Sequence, residues 1–250
     1  MSKKISVIIP ALNESGYIEK AIASLMCQTI ERASFEIIVV DNGSVDDTAE
    51  LARRSGADCV LSEPKKGTNR ARARGLATAT APIVAFLDAD CEAPKDWLMK
   101  IIEAFEADCK LIALGGPYNL FFKSPIKRCV ANFFQLCAVP VVMSVLSFLW
   151  KPAAAMNGGN WAARRTVLNE VGIDARFSFY GDDTAVACAL AKVGKVRWLP
   201  HLGVKTSLRR YETDGDFALQ AKYIINWFWV YLFNRPIEFR DRLSGQKEKK

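Results

Sequence analysis

Asp88 and Asp90 flank a single alanine where the apolar run Ile83 to Leu87 comes to an end. Two carboxylates at a strand's exit offer hard oxygen ligands that suit Mg²⁺ or Mn²⁺. Such a metal keeps open positions for the phosphate oxygens of a substrate, so the chemistry indicated is the handling of a nucleotide diphosphate. A second reading stands beside it: the triplet caps the helix expected over Pro94 to Phe105. A later acid pair, Asp182 and Asp183, follows Gly181 and opens an Ala-rich helix through Lys192. A carboxylate there can act as a general base on an attacking hydroxyl, or it can be an acid favoured in a first helical turn by the dipole alone. The one histidine, His201, excludes a multi-His metal site. Following Val196 to Leu199 and Pro200, it is a candidate to complete the metal site or touch the diphosphate, with a structural role as the alternative. Arg209 and Arg210 are candidates for phosphate contact on a closing loop at the acceptor side, or are solvated surface charge.

These groups need elements to position them. Ile5 to Ile9 reads as a buried strand ending at Pro10 and the polar Asn13-Glu14-Ser15, with a helix over Tyr17 to Cys27. Phe35 to Val40 is a second buried strand, running into Asp41-Asn42-Gly43-Ser44, and Asp46 to Arg54 opens and forms a helix. Asp58 to Leu61 is a third strand, Asn69 to Ala79 a helix, and Ile83 to Leu87 a fourth strand. Nearly all-apolar strands alternating with helices indicate a parallel sheet covered on both faces. Ligands of such sheets bind beyond the carboxyl ends of the strands. Asn13-Glu14, Asp41 and Asp88-Asp90 all fall there, beside the basic stretch Lys65-Lys66-Gly67-Thr68-Asn69-Arg70-Ala71-Arg72. That convergence favours a nucleotide diphosphate pocket. Neither GxxxxGK[ST] nor GxGxxG is present, which argues against a P-loop NTPase and a standard dinucleotide enzyme.

Of 250 residues, 50% are hydrophobic, enough to bury a full core in one large domain or two fused lobes. The net charge of +7 allows nucleic acid, an anionic membrane surface or phosphorylated substrates. No nucleic-acid-binding pattern is present, so no nucleic-acid partner is expected. The seven cysteines are odd in number, dispersed and never spaced as CxxC, as in the reduced interior of a cytosolic protein. MSKK followed by ISVIIP lacks the features of a signal peptide, and no export is expected.

The segments ISVIIPALNES, EIIVVDNGSVDDT, KKGTNRARARGLA, IVAFLDADC, GGNWAARRTVLNEVG and FSFYGDDTAVACALAKVGKV together resemble the family 2 glycosyltransferases, in the family's order, over residues 5 to about 200. The resemblance implies a GT-A fold, a Rossmann-like α/β architecture, and inverting transfer from a nucleotide diphosphate sugar with Mg²⁺ or Mn²⁺. It implies that Pro10, Asn13, Glu14 and Asp41 line the nucleoside pocket and that Arg72 lies near base or phosphates. Lys66 and Gly67 belong to the same donor side, and Asp88 and Asp90 serve the metal and diphosphate. Asp183 maps to the base, with Asp182 orienting acceptor or base. Ala73 departs from the family, which often has Asn there. The absence of QxxRW favours a single-transfer enzyme over a processive synthase. Gly159, Asn160 and Trp161 are expected at the acceptor, where the glycine admits close approach and Trp161 can stack on a sugar face, or else form an ordinary turn with a core tryptophan.

Cys129 to Trp150 contains no charged residue and is long enough to span a bilayer. A single crossing would put Asp88-Asp90 and Asp183 on opposite sides of the membrane, so the stretch is expected as a helix broken near Pro140 that lies in the interface or dips in and returns. Tyr223 to Phe233 carries Trp227, Trp229, Tyr231 and Phe233, followed by Arg235, Arg240 and Arg242, and suits the headgroup boundary. Packing of the two blocks on each other, or an oligomer interface, is the alternative. The expected organisation is a nucleotide-sugar half (1–115), an apolar interface segment (116–152), an acceptor and catalytic half (153–210), and an aromatic helix with a basic tail (211–250). The expected acceptor is a lipid-linked glycan hydroxyl or polyprenyl phosphate at the cytoplasmic side of a membrane. The alternatives are a sugar-nucleotide nucleotidyltransferase and a non-catalytic nucleotide-sugar-binding protein.

Overall fold

A computed structural model of the chain describes residues 2–122, 124–133, 135–136, 139–149, 154–177, 181–209 and 216–235. The first half is built as expected: β1 (Ile5–Ala11), α1 (Ile18–Met26), β2 (Phe35–Asp41), α2 (Thr48–Arg54), β3 (Cys59–Ser62), α3 (Thr68–Thr78) and β4 (Ile83–Leu87). There follow β5 (Cys91–Glu92), α4 (Trp97–Ala107), β6 (Leu111–Gly115), β7 (Tyr118–Asn119), α5 (Pro125–Phe133) and α6 (Val139–Leu149). The remainder is β8 (Asn160–Arg164), α7 (Arg165–Val171), α8 (Asp182–Ala191), β9 (Lys195–Trp198), β10 (Val204–Thr206) and α9 (Asp216–Phe233).

A seven-stranded sheet runs in the order β3-β2-β1-β4-β8-β6-β9, and a three-stranded sheet in the order β5-β10-β7. β3, β2, β1 and β4 are mutually parallel, while β8 is antiparallel to both of its neighbours. The β pleat sends alternate side chains to opposite faces. Ile5, Val7 and Ile9 join Ile83, Ala85 and Leu87 under α1 and α4, with Ile18, Ile22, Trp97 and Ile101. Ile8, Val84 and Phe86 point the other way, into a layer with Ala71, Leu76, Leu168, Val186 and Leu190 from α3, α7 and α8. Each fully buried aliphatic side chain contributes about 1.5–3 kcal/mol of hydrophobic stabilisation. Burial on both faces explains why these strands read as unbroken apolar runs. Pro10 is tolerated in a central strand because the β1–β4 ladder ends at Ile8↔Phe86, before its missing N–H is needed.

The second half corrects one expectation. Asn160 and Trp161 are not part of an open turn: they begin β8, in the middle of the large sheet, opposite Leu87 and Phe86. β8 leads directly into α7. The apolar stretch near Pro140 is divided between α5 and α6, with Pro140 in the first turn of α6, where a missing N–H costs nothing. Among the described residues no helix is long and apolar enough to cross a membrane.

Candidate active site

The carboxyl ends of β1, β2 and β4 lie at one edge of the sheet, and their loops are stitched together. Asn13, at φ 56, accepts a hydrogen bond from the Val45 amide at 2.9 Å and donates its own amide to Ser44 Oγ at 2.9 Å. The Glu14 amide donates to Thr48 Oγ1 at 2.8 Å, and Asp41 Oδ1 accepts from the Ser44 amide at 3.2 Å. Asn42 is the staple for the basic stretch: its amide group donates to the carbonyls of Glu63 and Lys65, and its oxygen accepts from the Gly67 amide at 2.7 Å. Gly67, at φ 139, then starts α3, and Lys66 beside it is exposed. Pro10 is buried within β1.

Arg72, on α3, joins the two acid pairs. Only 2% of its side chain is exposed, and it donates to Asp182, to Asp88 Oδ1 at 3.2 Å and to the Gly158 carbonyl at 2.8 Å. Burial works against its charge, but the fields of Asp182, Asp88 and Asp183 outweigh that and hold the guanidinium firmly protonated. One buried cation thus serves three acids. Asp182 turns inward onto Arg72. Asp183 is half-buried and accepts from the Thr184 amide at 2.7 Å. Burial and the neighbouring Asp182 charge push its carboxyl up to about 7, against the opposing pull of Arg72 and the Thr184 hydrogen bonds. A carboxylate titrating there is suited to take a proton near neutral pH. The helix-dipole reading alone does not account for this cluster, because Asp182 pairs with a buried arginine of another element.

Asp88 is held from the other side by Tyr118, a residue that no sequence pattern singles out. The phenol donates to Asp88 Oδ2 at 3.3 Å and accepts from the Gly159 amide at 2.7 Å. Burial drives the phenol's pKa well above its usual value, with Asp88 adding to the effect, so it remains a donor. Gly159 packs so closely that a Cβ there would lie 2.5 Å from Asp88 Cγ. Asp90 stands 3.7 Å from Arg209, which also bonds Glu14 Oε1 at 2.7 Å. Arg209, expected at the acceptor, thus lies against Glu14 and Asp90, in the loops that follow β1 and β4.

Two other expected acceptor residues, Trp161 and Asn160, are buried scaffold. Trp161 is 1% exposed and stacks on Phe86 with ring centroids 4.0 Å apart, so it offers no face to a sugar. Asn160 is buried, accepting from Trp97 Nε1 and donating to the carbonyls of Pro117 and Leu202. Both are consequences of β8 being an interior strand. His201 is corrected as a metal ligand: it sits on an exposed turn, its carbonyl accepting from Lys100 Nζ at 3.4 Å. Among the described residues no three His, Cys, Asp or Glu side chains gather as metal ligands. Arg210 lies outside the described residues.

A family model for glycosyl transferase family 2 matches residues 6–172, more than half of the chain. The chain belongs to glycosyl transferase family 2. Glycosyltransferase AglE of Haloferax volcanii is 36% identical over 99 residues, covering 38% of this chain and 33% of that protein. Dolichol-phosphate mannosyltransferase of Pyrococcus furiosus is 32% identical over 119 residues, 46% of this chain and 33% of that protein. The chain thus spans about a third of the length of these curated relatives. In fold, it is similar to a mannosyltransferase from Pyrobaculum calidifontis solved with GDP-Man and Mn²⁺, at TM-score 0.69 and 22% identity over 93% of this chain and 65% of that one. It is also similar to glucosyl-3-phosphoglycerate synthase from Mycobacterium tuberculosis solved with Mn²⁺, UDP and phosphoglyceric acid. That match has TM-score 0.64 and 22% identity over 94% of this chain and 80% of the other. The expected GT-A type α/β fold is therefore the one this family 2 member adopts.

Proposed function

We propose that this family 2 member transfers a sugar from a nucleotide diphosphate sugar to an acceptor oxygen with inversion, in a single transfer. The observation that carries this is Arg72, which joins Asp88 at the end of β4 to Asp182 and Asp183 at the start of α8. On the donor side, the bonds of Asn13 to Ser44 and Val45 tie the loops ending β1 and β2 into one rim. Beside that rim Glu14 Oε2 is buried without a hydrogen-bond partner among the described residues, an acceptor suited to a nucleoside hydroxyl or N–H.

Asp88 and Asp90 fit a divalent ion by their chemistry: hard carboxylate oxygens, 30% and 15% exposed, with substrate phosphates left to complete the coordination. When bound, Mg²⁺ or Mn²⁺ would supply positive charge against the departing nucleoside diphosphate. Tyr118 and Gly159 fix the Asp88 carboxylate, and Arg72 keeps it in register with the acid pair. Asp183 takes the proton from an acceptor hydroxyl as the hydroxyl attacks the anomeric carbon, while Asp182 holds Arg72. Attack from the face opposite the leaving group inverts the configuration and requires no sugar–enzyme intermediate.

The acceptor in this reading is carried by a membrane, as a lipid-linked glycan hydroxyl or a polyprenyl phosphate, with the protein peripheral on the cytosolic face. In its support, α5 leaves Ile126, Val130 and Phe133 exposed, α6 leaves Val145, Phe148 and Leu149, and α9 leaves Ile225, Phe228, Trp229 and Phe233. α9 and the residue pair between α5 and α6 touch the site's supports. Gln135, just after α5, bonds both backbone groups of Tyr118, and a Cβ on Gly181 would strike Asn226 and Val230 of α9.

A thermal-shift panel of UDP-, GDP- and TDP-sugars, with and without Mn²⁺, tests the donor assignment. At least one nucleotide sugar is expected to raise the melting temperature, and more so with Mn²⁺. No shift with any of them would overturn the reading. Transfer into extracted membrane lipids then tests the acceptor.

A further inference from the structure

Arg209 reaches Glu14 Oε1 at 2.7 Å and stands 3.7 Å from Asp90 Oδ2, with its guanidinium carbon 5.0 Å from the centre of the Tyr17 ring. The small sheet puts it there. β10 pairs antiparallel with β5, which begins immediately after Asp90. The Ser207 amide donates to the Asp90 carbonyl at 3.2 Å, and the Arg209 amide donates to Ser207 Oγ at 3.1 Å. The segment carrying the guanidinium is thereby fastened to the loop carrying the carboxylate, which lowers the entropy lost in bringing them together. The field of Glu14 and Asp90 raises the guanidinium's pKa further despite its partial burial, so the cation is permanent. Asp88, meanwhile, faces Arg72. Each acid of the Asp88-Asp90 pair therefore has a guanidinium of this chain beside it.

We propose that Arg209 is a tethered cation that stands in for the divalent ion: it holds Asp90 and Glu14 in the unliganded enzyme and yields Asp90 only when a nucleoside diphosphate arrives with the metal. A divalent ion on its own meets a fixed positive charge at Asp90 and must share that carboxylate with it. A diphosphate brings enough negative charge to offset both cations, and Arg209 then faces the diphosphate. Metal and nucleotide accordingly bind cooperatively, each raising the other's affinity by the same factor. This rests on the nucleotide-sugar reading and adds to it the coupling between metal and diphosphate.

The test is a titration of Mn²⁺ alone, followed by the electron paramagnetic resonance signal of the free ion, on the wild type, Arg209→Gln and Arg209→Lys. It is then repeated with UDP or GDP present. Arg209→Gln is expected to tighten binding of Mn²⁺ alone by about tenfold and to lose most of the gain that the nucleotide brings. Arg209→Lys keeps the charge and is expected to bind Mn²⁺ alone as weakly as the wild type, and thermal melts of both variants check that the fold is retained. Binding of Mn²⁺ alone that is no tighter in Arg209→Gln than in the wild type overturns the proposal, whatever the nucleotides do. If neither UDP nor GDP binds any variant, the nucleotide assignment falls, and the comparison with Mn²⁺ alone still decides the role of Arg209.

Discussion

At the scale of single residues, Asp183 combines three influences that set its proton affinity: burial, a like charge at Asp182 and a cation at Arg72. With its carboxyl raised from 3.8 to about 7, the folded protein prefers the protonated form. Ionisation therefore costs stability, a cost that begins as pH rises past the ordinary carboxylate range and is complete above about 7. Asp183→Asn is thus expected to melt higher than the wild type at pH 8, by the equivalent of at least about 1 kcal/mol, with the gain disappearing near pH 4. Melting curves at the two pH values check it. For a hydroxyl acceptor, the same substitution should cut the transfer rate by about 10²-fold or more. The wild-type rate should rise between pH 6 and 8 as the base form fills. Retained transfer in Asp183→Asn would point instead to a phosphate acceptor, whose oxygen is already ionised.

At the scale of elements, β8 carries more of the site than its sequence suggests. Its antiparallel insertion between β4 and β6 brings the Gly158-Gly159 turn under Arg72 and Asp88, and there the lack of a side chain matters. Gly159→Ala is expected to push the Asp88 carboxylate aside. The Mn²⁺ concentration needed for half-maximal activity should then rise by about tenfold or more, since ångström-scale misplacement of a site group is costly. Overpacking should also lower stability by about 1–3 kcal/mol. A Mn²⁺ titration beside a urea melt separates the two effects, and an unchanged Mn²⁺ requirement would show that Gly159 does not set the Asp88 position. None of this was legible in Asn157 to Trp161, where two glycines between asparagines have the composition of a free turn. Asn160 and Trp161 read equally well as ligand-facing or buried until the strand's neighbours were known.

At the scale of the whole molecule, the apolar surfaces of α5, α6 and α9 stay outward, and neither of the two large core clusters draws a described residue from these helices. α9 has two apolar faces. Val230 and Tyr231 are buried, Val230 in a cluster with Phe177 and Ala185, while Phe228 and Trp229 remain exposed. The double substitution Phe228→Asp and Trp229→Asp is expected to weaken co-sedimentation with anionic vesicles by about tenfold or more, given the transfer free energy of two aromatic side chains. It should leave the melting temperature nearly unchanged. Undiminished vesicle binding would count against α9 as the contact.

The parallel half of the sheet, β3-β2-β1-β4, was legible in the residues alone. Strands buried on both faces announce themselves as unbroken apolar runs, and in a parallel sheet their loops have only one edge at which to meet. The positions of Glu14, Asp41, Asp88 and Asp90 followed from local pattern alone, and the motif order added the family and the acid pair Asp182-Asp183. Tertiary structure decided what those acids do to one another. Arg72 was legible as a basic residue near phosphates, but its place between Asp88 and Asp182 depends on α8 packing beside α3, a contact between segments far apart in the chain. The same is true of Tyr118 on Asp88, Arg209 on Asp90 and the distance of His201 from both. Periodicity reports which face of an element is buried, whereas a shared charge is a property of the space between elements, and that space exists only once they have packed.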